Sequence, residues 1–370
     1  MKKKFPFVAC LAAAGLVIPI GPAAAGSLSS EPETSAPGLL SPLSLAVDNS
    51  GSVLVTQNFA GRLDRVTDDG QLTNLYTKAD WDVAGVETRG GTTYFLESAG
   101  AGGGNPDALK GFLKSIDASG EVKTVADLAT YERTHNPDGD QEYGFGSDVS
   151  AECLQQWPVF PPARYTGTVD SHPYATAVKG STAYVADAGM NAILEVDLDS
   201  GDVTTLAVLP ARPAVIPAGA RIPIDMAGGT VGAPACVVGH EYAFEPVPTD
   251  VEIGPDGWLY VSSLPGGPEN RSLGDRGAIF KVNPWTGHTR LWAEDILSPT
   301  GIAVADNGDV YAASMFGNEI VKIDAWTREH SQFLAVNGPA AVELSGHTLY
   351  ATAGFSFGAP AGTVLKARIR

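Results

Sequence analysis

Along residues 41–370 apolar and polar positions alternate in short bursts, and the bursts belong to a unit that recurs six times. Each unit reads as a Pro-or-Gly approach, an apolar strand, a polar turn, a strand resembling VYVAD, a loop, an IxKVD-like strand and a last strand. The copies span 41–77, 82–128, 172–209, 247–294, 298–335 and 338–370. A period of two over a few residues, rich in Val, Ile, Tyr and Thr, predicts strands. The breaks carry turn chemistry: Ser50-Gly51, Gly90-Gly91, Asp256-Gly257 and Asn307-Gly308 join first and second strands, while Ser119-Gly120, Ser200-Gly201 and Thr286-Gly287 join third and fourth. Helical spacing is almost absent. Stripped of insertions a unit is about 40 residues, the length of a four-stranded propeller blade, which buries its faces only against neighbours. The pattern predicts an all-β fold, a six-bladed β-propeller of four-stranded antiparallel blades, forming one domain over 26–370.

The sixth unit stops at Arg370 after its third strand, leaving an edge with unpaired backbone groups. Residues 28–39 are placed to fill it and complete the last blade. Pro32 and Pro37 restrict that segment to a short outer strand. All long insertions fall between strands two and three (100–110, 265–277, 355–362) or between blades (130–171, 210–245), and in an antiparallel blade those connections share one face of the ring. That face, with a mouth of the central channel, is the expected binding surface. The two longest insertions form a lid over it, whose aromatic residues Tyr131, Tyr143, Phe145, Trp157, Phe160, Tyr165, Tyr242 and Phe244 read first as the lid's own core.

Charge narrows the partners. Residues 1–25 read as a secretory signal, with Lys2, Lys3 and Lys4, an apolar stretch and a small-residue site before Gly26, so the chain is expected to be exported. Without those lysines 21 basic residues face 42 acidic ones, a charge of −21, which disfavours nucleic acid and anionic lipid. No further apolar run has membrane-spanning length. Cys10 leaves with the signal. Cys153 and Cys236 remain, one in each long insertion, and an even pair in an exported chain reads as a disulfide stapling the lid.

Aligned approaches to the first strands place Asp82 and His172 beside Ser41, Val247, Ser298 and Gly338; three residues on, Asp250 aligns with Ser44, Gly85, Ala175, Gly301 and Ala341. With Asp170 or His240, these three are candidate ligand-binding residues and a candidate divalent-cation site, calcium or magnesium by their oxygen ligands. Glu87, Glu252 and Glu343 fall two residues further on alternate blades, as channel residues. Asn136-Pro137-Asp138-Gly139-Asp140 has the composition of a calcium loop without EF-hand spacing or its final Glu, and reads as a polar turn. No hydrolase elbow, zinc-protease motif, phosphate loop or dinucleotide fingerprint stands in a fitting context.

DSHPY (170–174), AYVADAG (183–189) and the following run from Asn191 to Asp197 resemble the "DSNPY…VYVADAGGNALLRVD" signature of the ScyD/ScyE family, with His172 for Asn and Met190 for Gly. SPLSLAVDNSGSVLVTQ and PTDVEIGPDGWLYVSSLPGGPE are similar to that family too. The resemblance implies NHL-like repeats, a six-bladed ring and a secreted bacterial protein, and carries no settled activity. The expected role is a binding or accessory protein acting through the insertion-bearing face, as a monomer, on a small molecule, extracellular protein or glycan. The alternative is a metal-assisted hydrolase or lyase at the channel mouth, by analogy with gluconolactonase-like and streptogramin-lyase-like propellers.

Overall fold

The first five repeats each contribute a four-stranded antiparallel sheet, and the sixth contributes three strands of one. A computed structural model of the chain describes residues 32–48, 50–67, 69–158, 160–223, 229–269, 271–356 and 358–369. The expected signal over 1–25, with Cys10, and positions 28–31 lie outside them. The first strands are Leu45–Val47, Asp82–Arg89, Pro173–Lys179, Pro248–Ile253, Pro299–Val304 and Val342–Ser345. Each packs against the next in that order, and the last packs against the first.

Burial grades outward along a sheet. Second strands such as Val53–Gln57, Leu259–Ser263 and Val310–Ser314 are buried throughout, whereas the fourth strand Leu72–Thr77 has no fully buried residue. Apolar side chains of neighbouring sheets interleave: Tyr184 and Ile193 pack with Val251 and Phe280, and Tyr311 and Ile320 with Leu349 and Ala351. The Asp or Asn ending each IxKVD-like strand has a specific task. Oδ1 of Asp197 accepts from the N–H groups of Asp199 and Ser200, that of Asn283 from Trp285 and Thr286, and that of Asp324 from Trp326 and Thr327. These Asx turns start the hairpins that the Gly-containing breaks predict.

The sixth sheet takes its fourth strand from the other end of the chain. Glu33–Leu39 pairs antiparallel with Gly362–Arg368, from Glu33 opposite Lys366 to Leu39 opposite Gly362, and Pro37 lies within this outer strand. Ala36 and Leu39 are completely buried, packed with Leu45, Val53 and Val364.

The two longest crossings depart from their reading as loops. They hold helices Leu128–His135 and Ala151–Leu154 and a seventh four-stranded sheet, in the order Arg164–Thr166, Glu142–Phe145, Glu241–Phe244, Arg212–Val215. The core of this lid is aromatic: Phe145 meets Trp157 and Tyr242 edge-on at 4.7 and 5.0 Å, and Trp157 stacks on Tyr242 at 5.3 Å. Cys153 and Cys236 are disulfide-bonded with 5.9 Å between their Cα atoms. No helix among the described residues is long and apolar enough to cross a membrane.

Candidate functional site

The first strands converge on an axial cavity of about 20 Å³, lined by Ser44, Tyr174, Thr249, Asp250 and Thr300 toward one end and by Glu87, Glu252 and Glu343 beyond. That volume holds about one water molecule. Backbone packing makes it narrow. A Cβ on Gly85 would lie 2.8 Å from Ala175 Cα, and one on Gly301 2.8 Å from Ala341 Cα, so adjacent first strands approach as only glycine allows.

Register shifts open four of the first strands near their start, between Ala84 and Val86, Pro173 and Ala175, Pro248 and Asp250, and Pro299 and Gly301. Such a bulge frees a backbone N–H, which the preceding sheet satisfies. Val86 N–H donates to Ser44 Oγ at 3.0 Å and Ile302 N–H to Asp250 Oδ2 at 2.7 Å. Ser44 and Asp250 are aligned positions of the repeat. Asp250 therefore struts two sheets, its Oδ1 accepting from Val251 N–H at 2.9 Å.

The structure separates the residues that the sequence groups as one cation site. His172 Nε2 meets Asp82 Oδ2 at 2.8 Å, linking neighbouring sheets at the rim. Burial opposes protonation of His172, but the hydrogen bond and charge of Asp82 outweigh it and raise its pKa. Asp170 accepts from Gly102 N–H at 2.9 Å and from Ser171 N–H at 3.0 Å. His240 lies out on the lid, 2.6 Å from Asp148. Among the described residues no three His, Cys, Asp or Glu side chains are grouped to hold a metal ion.

Glu87, Glu252 and Glu343 do converge, and Asp250 joins them. All four keep part of their surface toward the bore yet are walled in by strands. Burial pushes Glu87 up to about 7 and raises Asp250, Glu252 and Glu343, and the acids raise one another by repulsion. Glu87 and Glu343 fold back to accept from the N–H of Thr88 and Leu344, at 2.5 and 2.7 Å. With these pKa values above those of unfolded carboxylates, the folded chain binds more protons between about pH 4 and 7, so stability is highest at the acid end of that window and falls as pH rises through it. Glu343→Gln should accordingly raise the melting temperature by several degrees at pH 8.5 and much less at pH 5. An equal shift at both values, by calorimetry, would contradict a shared-proton ring.

Above the acids lies a surface the sequence did not assemble. Phe59, Tyr174, Phe316 and Phe355, from four sheets, pack partly buried around Leu43, Met315 and Ala340; Leu43 and Tyr174 also line the cavity. Phe59, Phe316 and Phe355 all lie between second and third strands, so this is the insertion-bearing face. His172 stands edge-on to Tyr174 at 5.7 Å. The Tyr174 phenol is raised by burial and by Asp82, Asp250 and Glu269. Glu269, pushed up to about 7 by burial, was not among the candidates, because a Glu in a Gly/Pro-rich insertion carries no signal of where it lands. Arg276, whose charge acts against that rise, donates to the carbonyls of Gly266 and Pro268 at 3.0 and 2.7 Å. The mouth thus joins aromatic faces to a rim of carboxylates. The opposite face, expected to carry only tight hairpins, exposes Trp285 and Trp326 at 75% and 89% on equivalent Asx turns.

Against solved structures, the fold is that of β-propeller proteins. A gluconolactonase from Xanthomonas campestris aligns with a TM-score of 0.54 at 12% identity, covering 90% of this chain and 88% of its own. The PQQ-bound aldose sugar dehydrogenase of Streptomyces coelicolor gives 0.52 at 14%, covering 91% and 97%. Virginiamycin B lyase from Staphylococcus aureus gives 0.50 at 14%, covering 90% and 96%. At such identities what is shared is architecture, and activity does not transfer. No protein-family model and no curated protein matches the sequence.

Proposed function

We propose that this chain is a secreted, monomeric six-bladed propeller, closed by its N-terminal strand, that binds a small organic cation at the aromatic mouth of its channel. The observation carrying this is the cluster of Phe59, Tyr174, Phe316 and Phe355 on the insertion-bearing face, in which Tyr174 stands in the field of Asp82, Asp250 and Glu269. Aromatic faces and carboxylates both attract a cation, and a planar apolar body fits between rings. The ScyD/ScyE-like signature agrees with export. The alternative, a metal-assisted hydrolase or lyase, requires Asp82, His172, Asp250 and either Asp170 or His240 to share one ion, whereas their side chains are turned to separate partners.

Proflavine, a planar cation, and anilinonaphthalene sulfonate, a planar anion, test the reading by fluorescence titration. Proflavine should bind at least about tenfold more tightly than the anion, and Phe316→Ala should weaken it about tenfold, the effect of removing one ring worth of stacking. Equal binding of the two dyes, or unchanged proflavine binding in Phe316→Ala, overturns the proposal. Lactone turnover abolished by both EDTA and His172→Ala would put the enzyme reading in its place.

A further inference from the structure

Where the lid meets the third sheet, next to His172, lies a second acidic cluster that the proposed site does not use. Glu132, Asp138 and Asp187 are at most 1% exposed, and Asp170 and Glu245 are half-buried beside them. Beyond burial, the charges acting against ionisation of Glu132 are Asp187, Asp138 and Asp170, and those acting against Glu245 are Asp138 and Asp170. Like charges have been brought together out of water.

Most of their oxygens are satisfied. Asp187 accepts from Ser171 Oγ and from the N–H groups of His172, Gly189 and Met190. Asp138 Oδ2 accepts from Tyr143 Oη at 3.0 Å and Asn191 Nδ2 at 2.8 Å, and Glu132 Oε1 from Asp170 N–H at 3.0 Å. Three oxygens are left over: Glu132 Oε2, Asp138 Oδ1 and Asn136 Oδ1 are buried without a hydrogen-bond donor. The Asn136 amide is oriented by its nitrogen, which donates to Gly167 O at 3.3 Å. Asp138 lies against the same residue, since a Cβ on Gly167 would stand 2.2 Å from Asp138 Oδ1.

Three donor-less acceptors in one acidic place define a chemistry. Leaving buried acceptors and like charges unpaired is costly, and a single proton held between two of these oxygens still leaves the third without a donor. A hard cation serves all three. We propose that Glu132, Asn136 and Asp138 bind a divalent cation of calcium size, which ties the helix Leu128–His135 to the turn that follows it at the base of the lid, where Asp138 also accepts from Asn191 of the third sheet. The oxygen-only set, with a neutral amide among carboxylates, suits calcium, which accepts irregular geometry and completes its shell with carbonyls and water; magnesium demands a tighter octahedron. Asn136, Asp138 and Asp140 alternate along the turn, the spacing by which calcium loops present oxygens. With two carboxylates and an amide, affinity should resemble that of extracellular calcium modules, a Kd on the order of 10⁻⁴–10⁻³ M.

The test uses the full oxidised chain after EDTA treatment and dialysis. Calcium at millimolar concentration should raise its melting temperature by several degrees and magnesium should not. Asp138→Asn and Asn136→Gly should each abolish the rise, and Glu343→Gln, in the channel, should retain it. Asn136→Gly guards against a folding failure, because glycine readily adopts the backbone φ of 41° found at Asn136. Terbium provides a second reading: with Tyr143 bonded to Asp138, terbium in this site should luminesce on tyrosine excitation, and calcium should quench it by displacement. The proposal fails if calcium gives neither a melting shift nor terbium displacement, if both lid variants keep the shift, or if Glu343→Gln removes it.

Discussion

A chain beginning at Leu40 should melt roughly 10 °C below one beginning at Gly26 and should self-associate. The shortened chain loses Glu33–Leu39, the outer strand paired with Gly362–Arg368. Burial of Leu39 alone contributes about 2 kcal/mol, and each ladder hydrogen bond about 1 kcal/mol net. The total is about 5 kcal/mol or more, and in a chain of this size each kcal/mol moves the midpoint by about 2 °C. The exposed edge of Gly362–Arg368 then offers unpaired backbone to another molecule. Calorimetry and light scattering on the two chains decide the matter. Identical melting and mass would mean that the outer strand is dispensable.

Loss of the Cys153–Cys236 bond should be as large in energy but local in effect. The bond closes a loop with a sequence separation of 83 residues, for which the chain-entropy estimate is about 4–5 kcal/mol. The lid core of Phe145, Trp157, Ile216, Val237, Tyr242 and Phe244 takes in only Leu273 from the fourth sheet's insertion and forms a cluster distinct from those that join the sheets, so the lid should open as its own unit. In the Cys153→Ala/Cys236→Ala variant, amide exchange should accelerate at least about tenfold over 142–166 and 212–244, the change expected for a local loss above 1.4 kcal/mol. Residues 248–335 should keep their protection. Acceleration spread evenly over the chain would show instead that the lid and the sheets unfold together.

Much of this architecture is written in local pattern. Strand alternation, the Asx residues Asp197, Asn283 and Asp324, and glycines at the tight turns act within a few residues, so they read directly from the chain, as does the pairing of its last two cysteines. The repeats form four-stranded antiparallel sheets, as that pattern predicts, and Glu33–Leu39 pairs with Gly362–Arg368. The lid sheet was not legible, because Glu142–Phe145 pairs with Glu241–Phe244 across a gap of about 100 residues, and no periodicity in either segment names its partner.

The candidate site divides along the same line. The repeat alignment brought Glu87, Glu252 and Glu343 to one level of the channel, since equivalent residues of a ring face its axis together. It could not foresee that Asp250 would be taken by Ile302 N–H, Asp82 by His172 and His240 by Asp148. Nor could it see Phe59, Phe316 and Phe355 meeting Tyr174. Repetition determines where a residue stands in its own sheet. What its side chain touches depends on bulges and on how closely the next sheet approaches, and in this protein those are decided by tertiary packing alone.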